Sequence, residues 1–298
     1  MKIDVDETNK IDAYFADQGS PKPRYEGQLA PSFQRALEDY HGEVTEQDAV
    51  FYHTIDLGAG ELRKGAWDLR DHEQAYLGGC DVGGKRVLEV GPASGFLSAY
   101  LASKGADLVV FDLPLGSTSE LVPFSEIDDM DEFATGARRS VEQLRNSWWL
   151  TKRKLGFKAS AVYADIYAPP SDLGRFDVTV FGSILLHLAN PFRALQAFAA
   201  TTDSTIVVTD VLGVQSLSPE TGQSLYGSAN MIFAPSPLPS GIVHWWALSP
   251  NAIRHMLHKL GFTESVVTTH SPKRMPSSPP LFTVVARRAP KPGLKREF

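Results

Sequence analysis

The fold of this chain is decided by the stretch Val87-Leu88-Glu89-Val90-Gly91-Pro92-Ala93-Ser94-Gly95. Its first half belongs to the largely apolar run Arg86 to Val90, which is typical of a buried strand, and its second half places two glycines where the backbone must turn tightly. A helix is expected from about Gly95 to Ser103, and Gly105 marks its end. A strand that runs through a glycine loop into a helix indicates an α/β fold with a parallel sheet.

The same alternation of strands and helices continues along the chain. We expect further parallel strands at Leu108–Phe111, Ser160–Tyr163, Phe176–Phe181 and Thr205–Asp210. Helices are expected within Ser125–Leu155, at Pro191–Ala200 and at Pro250–Leu260, and two closing strands at Ser265–Thr269 and Leu281–Ala286. The pattern predicts an α/β, Rossmann-like sheet of seven strands that ends in an antiparallel hairpin. A dinucleotide-dependent oxidoreductase would instead continue with further βα units.

Composition shifts predict the organisation of the chain around this sheet. Residues 1–80 are expected to form an N-terminal extension that caps the site, and residues 81–290 the sheet domain. Residues 213–246, which are rich in Ser, Pro and Gly, form an insertion after the fifth strand of the sheet. Because the segment is long for a bare connection, we expect a functional lid. Residues 291–298 are expected to be a basic tail.

Bulk composition excludes several classes of protein. The 298 residues are 43% hydrophobic and 21% charged, with a formal net charge of −6, which is ordinary for a globular protein and provides no general attraction to nucleic acid. The single cysteine, Cys80, is compatible with a reducing compartment. We find no signal peptide pattern and no apolar run long enough to cross a bilayer. The sequence therefore predicts a cytoplasmic protein without a membrane partner, and it makes no prediction of oligomeric state.

Acidic residues at successive strand ends point to a nucleoside-bearing cofactor. Backbone amides at the helix start after the glycine loop suit an anion, and Asp112 follows at the spacing at which a carboxylate meets ribose hydroxyls. Asp165 is placed to meet an adenine amino group. Taken singly, each residue has an ordinary alternative as a turn or helix cap. Together they predict S-adenosyl-L-methionine, whose methionine carboxylate needs no phosphate site. The expected cofactor residues are Glu89, Gly91, Pro92, Ala93, Ser94, Gly95, Asp112, Leu113, Asp165, Ile166, Gly182 and Ser183.

Residues for the chemical step and for the acceptor are less sharply marked. His187 is a possible general base, and its alternative is a histidine bonded to backbone at a helix start. Methyl transfer from a sulfonium depends strongly on alignment, so a base is not required. We expect no metal site, because His255 and His258 have no carboxylate at matching spacing. Candidates to line a flat or apolar acceptor pocket, each with core packing as its alternative, are Tyr52, His53, Trp67, Trp148, Tyr226, Asn230, His244 and Trp245.

Several short pieces between Phe51 and Ala286 resemble the tRNA wobble-uridine carboxymethyltransferase group and its methyltransferase relatives. They are Tyr52-His53-Thr54-Ile55-Asp56-Leu57, Arg63-Lys64-Gly65, Val87-Leu88-Glu89-Val90-Gly91, Phe111-Asp112-Leu113-Pro114, Leu185-Leu186-His187 and Leu257-x-Lys259-Leu260-Gly261-Phe262. The resemblance implies a class I methyltransferase. In that group a lysine, a tyrosine before the histidine and an arginine in the final strand recognise a carboxylated donor. Here the matching positions hold Lys64, Leu186 and Leu281, which favours plain methyl transfer.

Four functions remain open from the sequence. The favoured one is methyl transfer to the oxygen or nitrogen of a small molecule by direct in-line displacement. The second is modification of tRNA or another RNA by a methyl- or carboxymethyltransferase, for which Lys152-Arg153-Lys154 is a possible contact. The third is a nicotinamide-dependent oxidoreductase, and the fourth is a cofactor-binding protein without catalysis.

Overall fold

The computed structural model describes residues 44–122, 129–212, 228–233 and 244–289. The strands are β1 Ile55–Asp56, β2 Leu62–Arg63, β3 Arg86–Val90, β4 Asp107–Asp112, β5 Ser160–Tyr163, β6 Phe176–Gly182, β7 Thr202–Val211, β8 Met231–Phe233, β9 Trp246–Leu248, β10 Glu264–His270 and β11 Leu281–Arg287. The α-helices are α1 Glu73–Tyr76, α2 Phe96–Ser103, α3 Met130–Leu155, α4 Pro191–Ala199 and α5 Pro250–Lys259. Tyr226, most of the expected insertion and the tail lie outside the described residues.

Seven strands form one sheet in the order β10-β11-β7-β6-β3-β4-β5. The five strands from β3 to β7 run parallel, and β11 is antiparallel to both of its neighbours. The Rossmann-like sheet and its closing antiparallel hairpin are therefore confirmed. Strand β4 lies on one side of β3 in the sheet, and β6 lies on the other side, so the order of the strands reverses at β3. This reversal opens a crevice at the carboxyl ends of β3 and β6, where α/β proteins bind ligands.

Burial on both faces explains why the parallel strands could be found in the sequence. Residues Val87 to Val90 of β3 are all buried, as expected for a central strand that is covered by helices on both sides. On one face, Phe111, Phe181 and Phe198 pack with edge-to-face ring contacts. No helix within the described residues is long and apolar enough to cross a membrane.

Helix α3 is more sharply bounded than the sequence indicated. Its N-cap Asp129 accepts a hydrogen bond from the Glu132 amide at 2.8 Å, and Gly156 ends the helix with a φ of +65°. Capping and the left-handed glycine are the usual helix boundaries, and here they enclose 26 residues. The helix lies against α2, so it forms one wall beneath the glycine loop.

Trp148 of α3 does not line a pocket, which corrects the expectation from sequence. The side chain is 1% exposed, and its Nε1 donates a hydrogen bond to Ser98 Oγ of α2 at 2.9 Å. A Cβ placed on Gly95 would lie 3.1 Å from Trp148 Cδ1, so the indole packs directly under the glycine loop. The core-packing alternative therefore holds, because the amphipathic face of α3 buries this residue against α2 and the sheet.

A pair of histidines joins the N-terminal segment to the closing hairpin. His72 Nε2 lies 2.8 Å from His270 Nδ1, and His270 Nε2 lies 2.8 Å from Thr283 Oγ1. Burial, with a smaller effect of His72, lowers the pKa of His270 to about 4. The unfolded chain has the ordinary histidine value, so it binds more protons than the folded chain between about pH 4 and about pH 6.5. This pair therefore costs stability as the pH falls through that range.

We expect His270→Gln to weaken the loss of stability on acidification. The unfolding temperature of the wild type should fall between about pH 6.5 and about pH 4. Over the same range the free energy of unfolding of the variant should decrease by on the order of 1 kcal/mol less than that of the wild type, because His270 is partly accessible to solvent. Thermal unfolding across this range measures the effect. His258→Gln, on the exposed side of α5, is the matched control and should follow wild type. Identical curves for wild type and His270→Gln would contradict the assignment.

Candidate functional site

A cleft lies at the crevice between β3 and β6. It is lined by His53, Leu69, Tyr76, Glu89, Val90, Gly91, Pro92, Phe96, Leu97 and Gly182. The glycine loop, the end of β6 and the N-terminal segment thus meet at one place. Leu69 and Tyr76 were not among the expected site residues, because their apolar spacing is the same as that of ordinary core residues.

The glycine loop forms the floor of this cleft. Gly91 has a φ of +73°, and its amide donates to Phe111 O at 2.9 Å, which fixes the loop above β4. A Cβ at this position would meet Ile184 Cδ1 at 2.1 Å. Gly95 is the N-cap of α2 with a φ of +83°. The first amides of α2 therefore begin at the cleft, and the N-terminal end of a helix favours an anion.

Ser94 ties the loop to the N-terminal segment. The residue is buried, and its Oγ accepts hydrogen bonds from the amides of Tyr52 at 2.6 Å and His53 at 3.2 Å. Its carbonyl accepts from Thr151 Oγ1 at 2.9 Å. The Ser94 side chain is thus occupied by protein partners, and it positions the loop and residues 52–53 relative to each other.

Glu89 is a buried carboxyl group beside the loop. It is 2% exposed, and Ser98 Oγ donates to its Oε2 at 2.5 Å. Burial raises the pKa of Glu89 to about 8, the Ser98 hydrogen bond opposes the shift, and the charge of Asp112 adds to it. A cationic ligand group in the cleft would stabilise the ionised carboxylate.

Asp112 ends β4 next to the glycine loop. Its Oδ1 accepts from the Leu113 amide at 2.8 Å, and burial raises its pKa while Arg145 opposes the shift. Arg145 is a buried guanidinium on α3 that donates to Leu113 O at 3.0 Å and to Glu142 at 2.8 Å. It holds the loop after Asp112 in place. Its Glu142 partner at i−3 is typical of any solvated helix, so the sequence did not reveal this role.

The turn after β5 lies beside Asp112, because the Ala164 amide donates to Asp112 O at 3.0 Å. Asp165 is exposed, and its Oδ1 accepts from the Tyr167 amide at 2.9 Å. Ile166 packs against the core cluster on the same side. Asp165 thus caps a turn, which is the alternative role that the sequence left open. Its second carboxylate oxygen lies at the carboxyl edge of the sheet.

The segment after β6 brings the expected residues to the other side of the cleft. Ser183 has a φ of +54°, its amide donates to Thr209 O at 2.7 Å, and its Oγ lies 3.2 Å from Tyr76 OH. A Cβ on Gly182 would lie 3.0 Å from the same hydroxyl. His187 stands in the 3-10 turn Leu185–His187. Its ring centroid is 4.9 Å from that of His244.

The expected acceptor residues fall into two groups. The first group consists of Tyr52, His53 and Trp67. His53 and Trp67 form an isolated parallel β-bridge, and Tyr52 is 41% exposed. His53 lines the cleft, and burial lowers its pKa to about 4, so the ring is neutral. The second group lies beyond His187.

His244 and Trp245 form the second group together with Asn230. The Trp245 amide donates to Leu186 O at 2.8 Å, which fixes this segment beside the turn that carries His187. The Asn230 amide donates to Ser249 Oγ at 2.9 Å, and the Ser249 amide donates to Asn230 O at 3.0 Å. Among the described residues there is no cluster of three or more His, Cys, Asp or Glu side chains suited to a metal ion.

Asp210 is a buried acid that the sequence analysis did not single out. It lies near the carboxyl end of β7 and is 2% exposed. The available signal was its position as a further acid near a strand end, after Glu89, Asp112 and Asp165.

Comparison with known proteins identifies relatives by structure and not by sequence. No family model and no curated protein matches the chain. The chain is similar to EvdMO1 with a TM-score of 0.50 and 17% identity, over 89% of this chain and 50% of EvdMO1, so it spans half the length of that protein. The N-terminal domain of EvdMO1, crystallised in the presence of SAH and D-fucose, matches with a TM-score of 0.46, 17% identity and coverage of 89% and 100%.

A third structure is the 1,6-didemethyltoxoflavin-N1-methyltransferase of Burkholderia thailandensis with 1,6-didemethyltoxoflavin and S-adenosylhomocysteine bound. It has a TM-score of 0.47, 14% identity and coverage of 90% of this chain and 94% of that one. At these identities the likeness is one of fold. The chain therefore shares a fold with EvdMO1 across 89% of its own length.

Proposed function

We propose that this chain is an S-adenosylmethionine-dependent methyltransferase that acts on a small molecule. The observation that carries the proposal is that the glycine loop and buried Glu89 line one cleft at the carboxyl edge of the sheet, with half-buried Asp112 beside the loop at the end of β4. The donor supplies an electrophilic methyl group on a sulfonium, and the chain's own residues bind and orient it. Gly91 lines the cleft, and a side chain at this position would displace Ile184 and with it the loop that would hold the ligand.

Each polar part of the donor has a matching group in the cleft. The amides at the start of α2 suit its carboxylate, and Glu89 suits its ammonium group, whose charge would lower the pKa of that buried acid. Asp112 suits the ribose hydroxyls, with Asp165 and Ile166 toward adenine. Ser183 and Gly182 lie across the cleft from α2, on the side that the sulfonium of the donor would occupy. This arrangement supports in-line transfer to an oxygen or nitrogen that enters from the side of Tyr52 and His187.

A plain methyl donor fits better than a carboxylated one. Leu281 is buried in β11 and Leu186 is half-buried, so neither provides a charge for a donor carboxylate, and Lys64 is exposed. We expect carboxy-S-adenosylmethionine to bind at least about tenfold more weakly than S-adenosylmethionine, because its extra charge would be desolvated without a partner. Competition calorimetry measures the ratio. Tighter binding of the carboxylated compound would favour the carboxymethyl alternative.

A small-molecule acceptor fits better than RNA. The basic run on α3 is engaged locally: Lys154 pairs with Glu61 at 3.3 Å, Arg153 donates to Val44 O, and Lys152 stands 5.5 Å from the centroid of the Trp149 ring. The net charge of −6 gives the chain no general attraction to a phosphate backbone. These contacts favour the reading of this run as a solvated helix end.

The acceptor class is tested by transfer of a labelled methyl group. Full-length protein is incubated with methyl-labelled S-adenosylmethionine, a small-molecule cell extract and, separately, total tRNA. We expect label in the small-molecule fraction and none above background in tRNA. Label in tRNA alone would support the RNA alternative. Absence of label from both fractions, with the donor bound, would favour the non-catalytic alternative.

A further inference from the structure

Asp210 carries a buried carboxylate oxygen that accepts no hydrogen bond within the part of the chain that the structure describes. Its Oδ1 accepts from the Val211 amide at 2.7 Å, whereas Oδ2 is buried and has no hydrogen-bond partner among the described residues. Buried carboxylate oxygens are nearly always bonded, because desolvation without a partner is costly. An oxygen left in this state at the carboxyl edge of a sheet is suited to a ligand.

The surroundings of Asp210 connect it to the segments that border the cleft. The Leu186 amide approaches it from the turn that carries His187. Its charge reaches the hydroxyls of Tyr76 and Tyr52: burial chiefly raises the pKa of each, and the charge of Asp210 raises both further. Tyr76 OH in turn lies 3.2 Å from Ser183 Oγ, and Tyr76 lines the cleft beside Gly182. Within the described residues, no cationic side chain shifts the pKa of Asp210.

We propose that Asp210 binds the nucleophilic hydroxyl of the acceptor and takes its proton during methyl transfer. This inference rests on the proposed function and narrows the acceptor to a hydroxyl compound. The acceptor oxygen forms the new C–O bond while the C–S bond of the donor breaks, and the electron pair of that bond stays on sulfur. The acceptor proton moves to Asp210 Oδ2 and then to solvent. No oxidant or further reactant is needed.

The proposed role of Asp210 as a base depends on its ionisation and therefore on pH. Burial raises its pKa to about 7, with the Val211 and Leu186 amides opposing the shift. The titratable groups that its charge affects are the hydroxyls of Tyr52 and Tyr76, and His187 stands on the turn that carries Leu186. Asp210 is therefore largely neutral at about pH 5.5 and ionised at about pH 8. A base role requires the ionised form.

Donor analogues test the position of Asp210 without knowledge of the acceptor. A carboxylate that faces the transferring methyl group attracts the sulfonium of S-adenosylmethionine and the amine that sinefungin carries at the same place, but not neutral S-adenosylhomocysteine. We expect Asp210→Asn to lower the affinity for the two cationic compounds about tenfold relative to S-adenosylhomocysteine at about pH 8, and much less at about pH 5.5. Calorimetry measures the three constants.

Asp203→Asn is the matched control, because Asp203 lies at the other end of β7 in an ion pair with Arg175 and should leave the ratio unchanged. An unchanged ratio in Asp210→Asn would overturn the inference while leaving the proposed function intact. Failure of wild type to bind any of the three compounds would instead overturn the proposed function, and the inference with it.

Thermal unfolding separates this role from a structural one. The folded-state pKa of Asp210 is raised, so its cost to stability grows as the pH rises from about 4 to about 7. Asp210→Asn should therefore unfold at a higher temperature than wild type at about pH 8, with little difference near pH 4. A lower unfolding temperature at about pH 8 would show that the carboxylate stabilises the fold, and would overturn the inference.

Discussion

Gly91→Ala is expected to abolish detectable binding of S-adenosylhomocysteine. The new Cβ would lie 2.1 Å from Ile184 Cδ1 and 2.5 Å from Cγ1, at a backbone φ of +73° that side chains rarely adopt. Ile184 is branched at Cβ and packed against the core, so relief of the clash must move residues 183–185 at the cleft. We expect a loss of affinity of about a hundredfold or more and a loss of stability of about 2–4 kcal/mol.

The control for this substitution is Gly84→Ala. Gly84 has a φ of +64° at the other end of β3, and no atom lies within 4 Å of an added Cβ. It shares the backbone strain of Gly91 without the clash, so it should lose about 1–2 kcal/mol of stability and keep its affinity. Calorimetry and thermal unfolding on both variants separate the two effects. Wild-type affinity in Gly91→Ala would show that the ligand does not contact this loop.

Asp112→Ala is expected to reduce the affinity for S-adenosylhomocysteine about 30- to 100-fold. A carboxylate that accepts from two ribose hydroxyls forms charge-assisted hydrogen bonds worth about 2–3 kcal/mol together. The same loss should occur with methylthioadenosine, which has the ribose and adenine but no amino acid part. Glu89→Gln should weaken binding of S-adenosylhomocysteine but leave methylthioadenosine unaffected, because Glu89 is assigned to the ammonium group.

Asp107→Asn is the matched control on the same strand. Asp107 begins β4, and its side chain is 71% exposed in a 3.7 Å ion pair with Arg86. This variant should bind both ligands like wild type, because the substitution lies at the opposite edge of the sheet from the cleft. Equal affinity of Asp112→Ala and Asp107→Asn for methylthioadenosine would remove the ribose assignment.

The sheet was predictable because its signal is local. Residues Val87 to Val90 are buried on both faces, so the strand is a continuous apolar run around Glu89, and the glycines that follow are required by left-handed backbone. The closing hairpin was likewise marked by Gly261 and by β-branched residues. Helix ends were less certain, since the cap at Asp129 depends on geometry that residue types alone do not fix.

The site was predictable in part, and the missing part depends on packing across long distances. Asp112 stands out because it ends a strand at a fixed spacing from the loop. Trp148 was misread because its partner, Ser98, lies 50 residues away in the sequence. Neither the residue type nor the sequence position of Arg145 or Asp210 indicates a special role. Only the folded chain shows that one guanidinium holds the loop after Asp112, and that one carboxylate oxygen of Asp210 has no hydrogen-bond partner among the described residues.

The central claim is that the cleft between β3 and β6 binds S-adenosylmethionine, and calorimetry on the wild-type chain tests it directly. The protein is titrated separately with S-adenosylmethionine, S-adenosylhomocysteine and NADH under the same conditions. We expect both sulfur compounds to bind with dissociation constants on the order of micromolar and one site per chain, and NADH not to bind. Binding of NADH, with no binding of either sulfur compound, would contradict the account.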